Sequence, residues 1–105
     1  MRMRGLRLIL MSNDAGRVRL AYEMALVQQA LGGAVHLFVT GAAVATLTKP
    51  DNLRDEALSA GAQIIACQTA LAEHDISIAD LDPRIGAGGL VSVMQGLGDD
   101  RLIVL

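Results

Sequence analysis

The sequence predicts an α/β protein: a three-layer α/β/α, flavodoxin-like domain built on a mainly parallel sheet of four to five strands. Three observations carry this. Short aliphatic runs alternate with longer mixed segments that open on Asp, Pro or Gly and close on Gly, the pattern of repeated strand–helix units. One of the runs, Val35 to Thr40, is aliphatic nearly throughout, as in a strand covered on both faces. The 105 residues fit one domain, 1–105, with no internal repeat, low-complexity linker or second domain.

The elements follow in order along the chain. Leu6 to Met11 reads as the first strand, and Ser12 to Gly16 as a polar turn in which Asp14 can cap a helix. That helix is predicted over Arg17 to Leu31, with Leu20, Met24, Val27 and Leu31 on its apolar face and Arg19, Glu23 and Gln28 on its exposed side. Gly32-Gly33 stops it. After the strand at Val35 to Thr40, Gly41-Ala42-Ala43-Val44 begins a short helix or turn. Pro50-Asp51-Asn52 starts a helix that carries Leu53, Ala57 and Ala60 and ends at Gly61.

The third strand, Gln63-Ile64-Ile65-Ala66, ends at Cys67, and Gln68 to His74 is helix-like. An acidic stretch with Asp75, Asp80 and Asp82 follows, where Ser77 and Asp80 have capping-box spacing and predict one more short turn of helix. Arg84-Ile85-Gly86 reads as a very short strand. Gly88-Gly89 then opens a helix with Leu90, Met94 and Leu97 on one face and Gly98 as its stop. Arg101 to Leu105 is the last strand, with no helix after it in the sequence, so exposed apolar surface and self-association are expected there.

Composition narrows the function classes. Hydrophobic residues make up 52% of the chain with no Trp, one Phe and one Tyr, so the core is aliphatic. A net charge of −2 and the lack of an aromatic stacking platform argue against a nucleic-acid surface. One cysteine rules out an internal disulfide framework and a cysteine-built zinc site, and with only His36 and His74 beside it no structural metal is expected. A reducing cytoplasm is the natural setting. Met1 to Arg7 is basic, but the apolar Leu8 to Met11 is too short for a signal-peptide core. Met24 to Thr48 lacks Asp, Glu, Lys and Arg, yet Gln28, Gln29, Gly32, Gly33 and His36 break the apolar continuity a membrane span requires.

Cys67 is the candidate for chemistry, because it stands where a strand gives way to a helix. In parallel α/β sheets reacting groups gather outside the carboxyl ends of the strands, and a helix starting there turns free N–H groups toward the sulfur. A thiol so placed ionises more easily. The bland alternative is that Cys67 packs as a small hydrophobe.

Other α/β sites fail on residue type. The first turn, Ser12-Asn13-Asp14-Ala15-Gly16-Arg17, has one glycine where a dinucleotide site needs several, and Gly86-Ala87-Gly88-Gly89-Leu90-Val91 lacks the third glycine. A phosphate loop would need Gly-Lys-Ser/Thr, and a receiver domain would need an aspartate at the place of Cys67. Neither His36, inside a buried strand, nor His74, one helix away from Cys67, is placed as a base for hydrolysis.

The chain resembles the DsrE/DsrF-like proteins, the small sulfur-relay fold, from Leu6 to Leu105. The resemblance rests on Arg17-Val18 with Ala21 and Ala25, on Gly33 to Gly41 with Val44 after it, on Gly61 to Cys67, and on Gly88-Gly89-Leu90 leading to Leu97 and an apolar last strand. It implies a flavodoxin-like parallel sheet, homo-oligomers that are often trimers or hexamers, and a persulfide-bearing cysteine at the place of Cys67. His74-Asp75 stands where members often have a basic residue and a glycine, which makes the mouth of the site more acidic.

The expected function is therefore a cytoplasmic sulfur carrier or sulfurtransferase. Cys67 accepts sulfane sulfur from a donor protein and passes it to an acceptor, with Asn13 and Gly41 lining the same sheet edge as substrate-binding residues. Thiol exchange of this kind needs no cofactor. The alternative is a non-catalytic oligomeric binding protein with a ligand or partner pocket at that edge.

Overall fold

A computed structural model describes residues 3–105; Met1 and Arg2, the start of the basic segment, lie outside them. Five strands form one sheet: β1 Leu6–Leu10, β2 Val35–Val39, β3 Gln63–Cys67, β4 Gly86–Gly88 and β5 Arg101–Val104. Their order across the sheet is β4-β3-β2-β1-β5, and every pair is parallel. The fold class is the expected α/β one, with all five strands present.

Four α-helices connect them: α1 Ala15–Ala30, α2 Asn52–Ser59, α3 Gln68–Glu73 and α4 Leu90–Gln95. Residues Gly41–Thr48 form a 3-10 turn that packs against α3 and β3, and Ile78–Asp80 a shorter one capped by the Ser77 hydroxyl. Steps from β1 to β4 all run in one direction, and crossovers between parallel strands are right-handed, so α1, α2 and α3 share one face of the sheet. The step from β4 to β5 runs back past three strands and places α4 alone on the other face.

The two faces differ in how well they are covered. Alternate strand residues Leu6, Leu8, Leu10, Leu37, Val39, Ile64 and Ala66 join Val18, Ala21, Tyr22 and Leu71 in the main core. On the opposite face Ile9, Phe38 and Val93 make a small second cluster, with Ile65 and Cys67 against it. Burying Leu8, Leu10, Leu37 and Ile64 completely gives the first face its strength, at about 1.5–3 kcal/mol for each side chain.

The predicted caps hold. Asp14 accepts from the amide of Arg17 at the start of α1, and Asp51 accepts from Leu53 and Arg54 at the start of α2. Gly32 and Gly61 have φ of +88° and +102°, the left-handed turn that ends α1 and α2 and that glycine adopts without strain. Asp75, just after α3, takes a left-handed φ of 54°, at the position where the family resemblance puts a glycine.

Three sequence readings need correction. In α1 the buried face is Val18, Ala21, Tyr22, Ala25 and Gln28, while Leu20, Val27 and Leu31 are exposed. Small alanines let the helix sit close to the sheet, and the Gln28 amide is satisfied by donating to the carbonyl of Arg4. The fourth strand is Gly86–Gly88, shifted toward Cys67 from Arg84-Ile85-Gly86. In α4, Val93 is the buried residue, Leu90 and Met94 are exposed, and the helix ends at Gly96. Two exposed apolar patches result: Leu20, Val27 and Leu31 line a groove with Ile103 of β5, and Leu102 and Val104 lie on the α4 face.

Candidate functional site

Cys67 is the last residue of β3 and the N-cap position of α3. Register places it beside Gly88 of β4 on one side, and one step beyond the Val39–Ala66 pair places it beside Thr40 on the other. Residues two apart on a strand share a face, so Thr40 and Cys67 both stand on the α4 face with Phe38 and Ile65 behind them. The thiol is partly exposed, and the space a side chain on Gly88 would need is taken by Ser92, whose Oγ would lie 2.9 Å from a Cβ there.

Several groups act on the sulfur. Burial pushes the thiol up, and the Glu73 carboxylate pushes it in the same direction. The Thr40 hydroxyl and the backbone amides of Ala70 and Thr69 favour the thiolate, and together they prevail, so the Cys67 pKa lies below that of an ordinary thiol. The sulfur is thus half-open at the start of α3, in surroundings that favour the thiolate although the Cys67 side chain forms no cap bond to the helix.

Thr40 was not singled out in the sequence. A signal for it was available: it is the polar residue that ends β2 just as Cys67 ends β3, and parallel pairing aligns the two. Gly41 follows directly, at the same edge. Its φ is +56°, and a Cβ there would lie 3.5 Å from the carbonyl oxygen of Met11, so it shapes the turn that presents Thr40.

Asn13 lies elsewhere. It lines a groove of about 750 Å³ with Val18, Arg19, Thr46, Lys49 and Asp51, and Cys67 is not part of that lining. Arg54 stiffens the groove's rim by donating to the carbonyls of Thr46 (3.2 Å) and Lys49 (2.6 Å). Next to Arg54 is the fully buried Tyr22, whose hydroxyl burial pushes up to about 12 against the pull of the guanidinium. Of the three predicted site residues, then, Cys67 and Gly41 lie at the ends of neighbouring strands and Asn13 lines a separate groove. Among the described residues no group of His, Cys, Asp and Glu could hold a metal ion, and no helix is long and apolar enough to cross a membrane.

The solved structure of the ychN protein from E. coli matches 98% of this chain and 100% of its own, with a TM-score of 0.74 and 19% identity. The chain has the ychN fold. Two further structures share it. MTH1491 from Methanobacterium thermoautotrophicum has a TM-score of 0.85 at 14% identity, over 98% of this chain and 100% of that one. BT1422 from Bacteroides thetaiotaomicron has a TM-score of 0.74 at 14% identity, over 94% of each. Both are described as proteins of unknown function. At these identities the likeness speaks for the ychN fold and not for an activity. No protein-family model matches the chain, and no curated protein sequence does.

Proposed function

We propose that the protein is a DsrE-like sulfur carrier in which Cys67 takes up sulfane sulfur as a persulfide and passes it to an acceptor protein. The observation that carries the reading is the place of Cys67: a half-exposed thiol at the carboxyl edge of the sheet, at the start of α3 and beside Thr40, in surroundings that lower its pKa. In the loading step the Cys67 thiolate attacks the outer sulfur of a donor persulfide. A new S–S bond forms at Cys67, the donor's S–S bond breaks, and the donor leaves as its thiolate. Delivery repeats the exchange in the other direction, so no external oxidant or reductant enters. The same donors that favour the thiolate favour the negatively charged persulfide.

Alkylation by iodoacetamide as a function of pH tests the nucleophile. A midpoint below about 8.5 with the protein folded supports it. A thiol that reacts only on unfolding supports a packed cysteine and the rival reading.

That rival is an oligomeric binding protein that uses the groove at Asn13. It is favoured by one observation: the groove is large and brings Asn13, Arg19, Thr46 and Lys49 together at the carboxyl edge. Sulfur transfer explains the environment of Cys67, which the groove does not touch, and is preferred for that reason.

The reading includes self-association as a trimer or hexamer. Exposed Leu20, Val27 and Leu31 beside β5, and Leu102 and Val104 on its other face, offer apolar surface for a second copy. Light scattering at micromolar concentration is expected to give a mass several times 11.0 kDa, and a monomer would remove the claim.

A further inference from the structure

Beneath α4 lies a polar cluster that sulfur transfer does not use. Arg7, the second residue of β1, is buried. Its Nε donates to Asp100 at 2.9 Å, its Nη1 to the Val93 carbonyl at 3.1 Å and its Nη2 to the Gly96 carbonyl at 2.7 Å. The last carbonyls of a helix have no partner within it, and a cation there is favoured by the helix dipole, so Arg7 clips the end of α4 to the sheet. Two glycines make the room. A Cβ on Gly96 would stand 2.8 Å from Nη2 of Arg7, and one on Gly5 would run into the Asp100 carboxylate.

His36 is the direct neighbour of Arg7 across β1 and β2. Its Nδ1 is buried and has no hydrogen-bond partner. Arg7, His36, Phe38, Ile65, Ser92 and Val93 line a recess of about 30 Å³, room for a water molecule and little else. The groups facing His36 are Arg7 from β1, Gln63 from β3, Asp100 from the turn before β5, and the uncharged Ser92 and Val93 from α4. Among the described residues one cation and one carboxylate therefore act on the imidazole, and that carboxylate is already paired with Arg7.

We propose that His36 is a pH-sensitive release for α4: a proton on His36 sets a second cation against Arg7, with Asp100 as the one carboxylate among the described residues to balance both, and frees the helix whose Val93 belongs to the cluster that Cys67 packs against. The release itself stands apart from any activity, and its effect on Cys67 rests on the sulfur-carrier reading. Burial, and then Arg7, hold the His36 pKa below the ordinary imidazole range, while Asp100 and Gln63 raise it by less. Because the clipped state prefers neutral His36, its stabilisation is complete above about pH 6.5 and is lost as pH falls through the lower midpoint of the folded protein. Opening of α4 then becomes more favourable by roughly tenfold for each unit that midpoint lies below about 6.5.

NMR on the full chain tests this. The His36 ring signals give its midpoint, and amide hydrogen exchange of α4, corrected for intrinsic rates, gives opening between about pH 7.5 and about pH 5. The corrected exchange is expected to rise as pH falls below about 6.5 and to level off below the His36 midpoint, by the factor that midpoint dictates, and His36→Gln is expected to abolish the rise. Asp100→Asn is expected to move the midpoint further down, a readout that survives if His36→Gln fails to fold. A midpoint at or above about 6.5, α4 exchange unchanged between about pH 7 and a lower midpoint, or an unmoved midpoint in Asp100→Asn would each overturn the proposal. None of these readouts involves sulfur, so the release and the activity of Cys67 can fail separately.

Discussion

Replacing Arg7 by alanine is expected to remove about 3–5 kcal/mol of stability, the usual loss when one partner of a buried, hydrogen-bonded ion pair is deleted. Three acceptors lose their donor at once: the Asp100 carboxylate and the carbonyls of Val93 and Gly96. Both side chains of the pair are little exposed, at 9% and 14%, so water cannot easily take Arg7's place. An exposed pair such as Arg19–Glu23 makes the contrast, because solvent screens it and its loss is worth at most about 1 kcal/mol. For a domain of this size the Arg7→Ala change lowers the melting temperature by at least about 10 °C, readable by circular dichroism. A drop of a degree or two, the size of a surface change, would mean that Arg7 is not the clip described above.

Thr40→Val is expected to leave stability nearly unchanged and to slow alkylation of Cys67 at neutral pH. Valine keeps the branched shape of threonine but cannot donate to the sulfur. Loss of a hydrogen bond to a charged group weakens thiolate formation by about 1.5 kcal/mol, or roughly tenfold. A less acidic thiol is intrinsically a better nucleophile, which returns a little under half of that loss on a logarithmic scale. The net expectation is a rate roughly threefold slower near pH 7, with a full return to the wild-type rate or above it once the thiol is ionised. Equal rates at all pH values would mean that the α3 amides of Thr69 and Ala70 hold the thiolate without help.

Much of this architecture is legible in the chain because the signals are local. Asp14, Asp51, Gly32 and Gly61 mark helix ends by their own backbone and side-chain chemistry, and each does so in the structure. The strand runs at Leu6, Val35 and Gln63 need only their neighbours in sequence to be read. What could not be read depends on distant partners. Arg7 looks like an ordinary polar position in a strand, and its acceptors are 86 to 93 residues away.

The face of α1 misleads for a related reason. Periodicity counts the large apolar side chains, and here Leu20, Val27 and Leu31 face outward while Ala21, Ala25 and a satisfied Gln28 face the sheet. Cys67 could be picked out because it sits at a strand-to-helix junction, and Gly41 because it ends the neighbouring strand. Asn13 also follows a strand, but the turn after β1 carries it into the groove beside α1 and α2. Strand ends share an edge; they do not all open on the same face of the sheet.

The mass of the intact protein after incubation with a cysteine desulfurase and cysteine tests the sulfur-carrier reading most directly. Wild type is expected to gain the mass of one sulfur atom, to lose it on treatment with a thiol reductant, and to gain nothing as Cys67→Ser. A wild type that stays unloaded with every persulfide donor supplied, although Cys67 alkylates readily in the folded state, would contradict the account and leave the binding reading in its place.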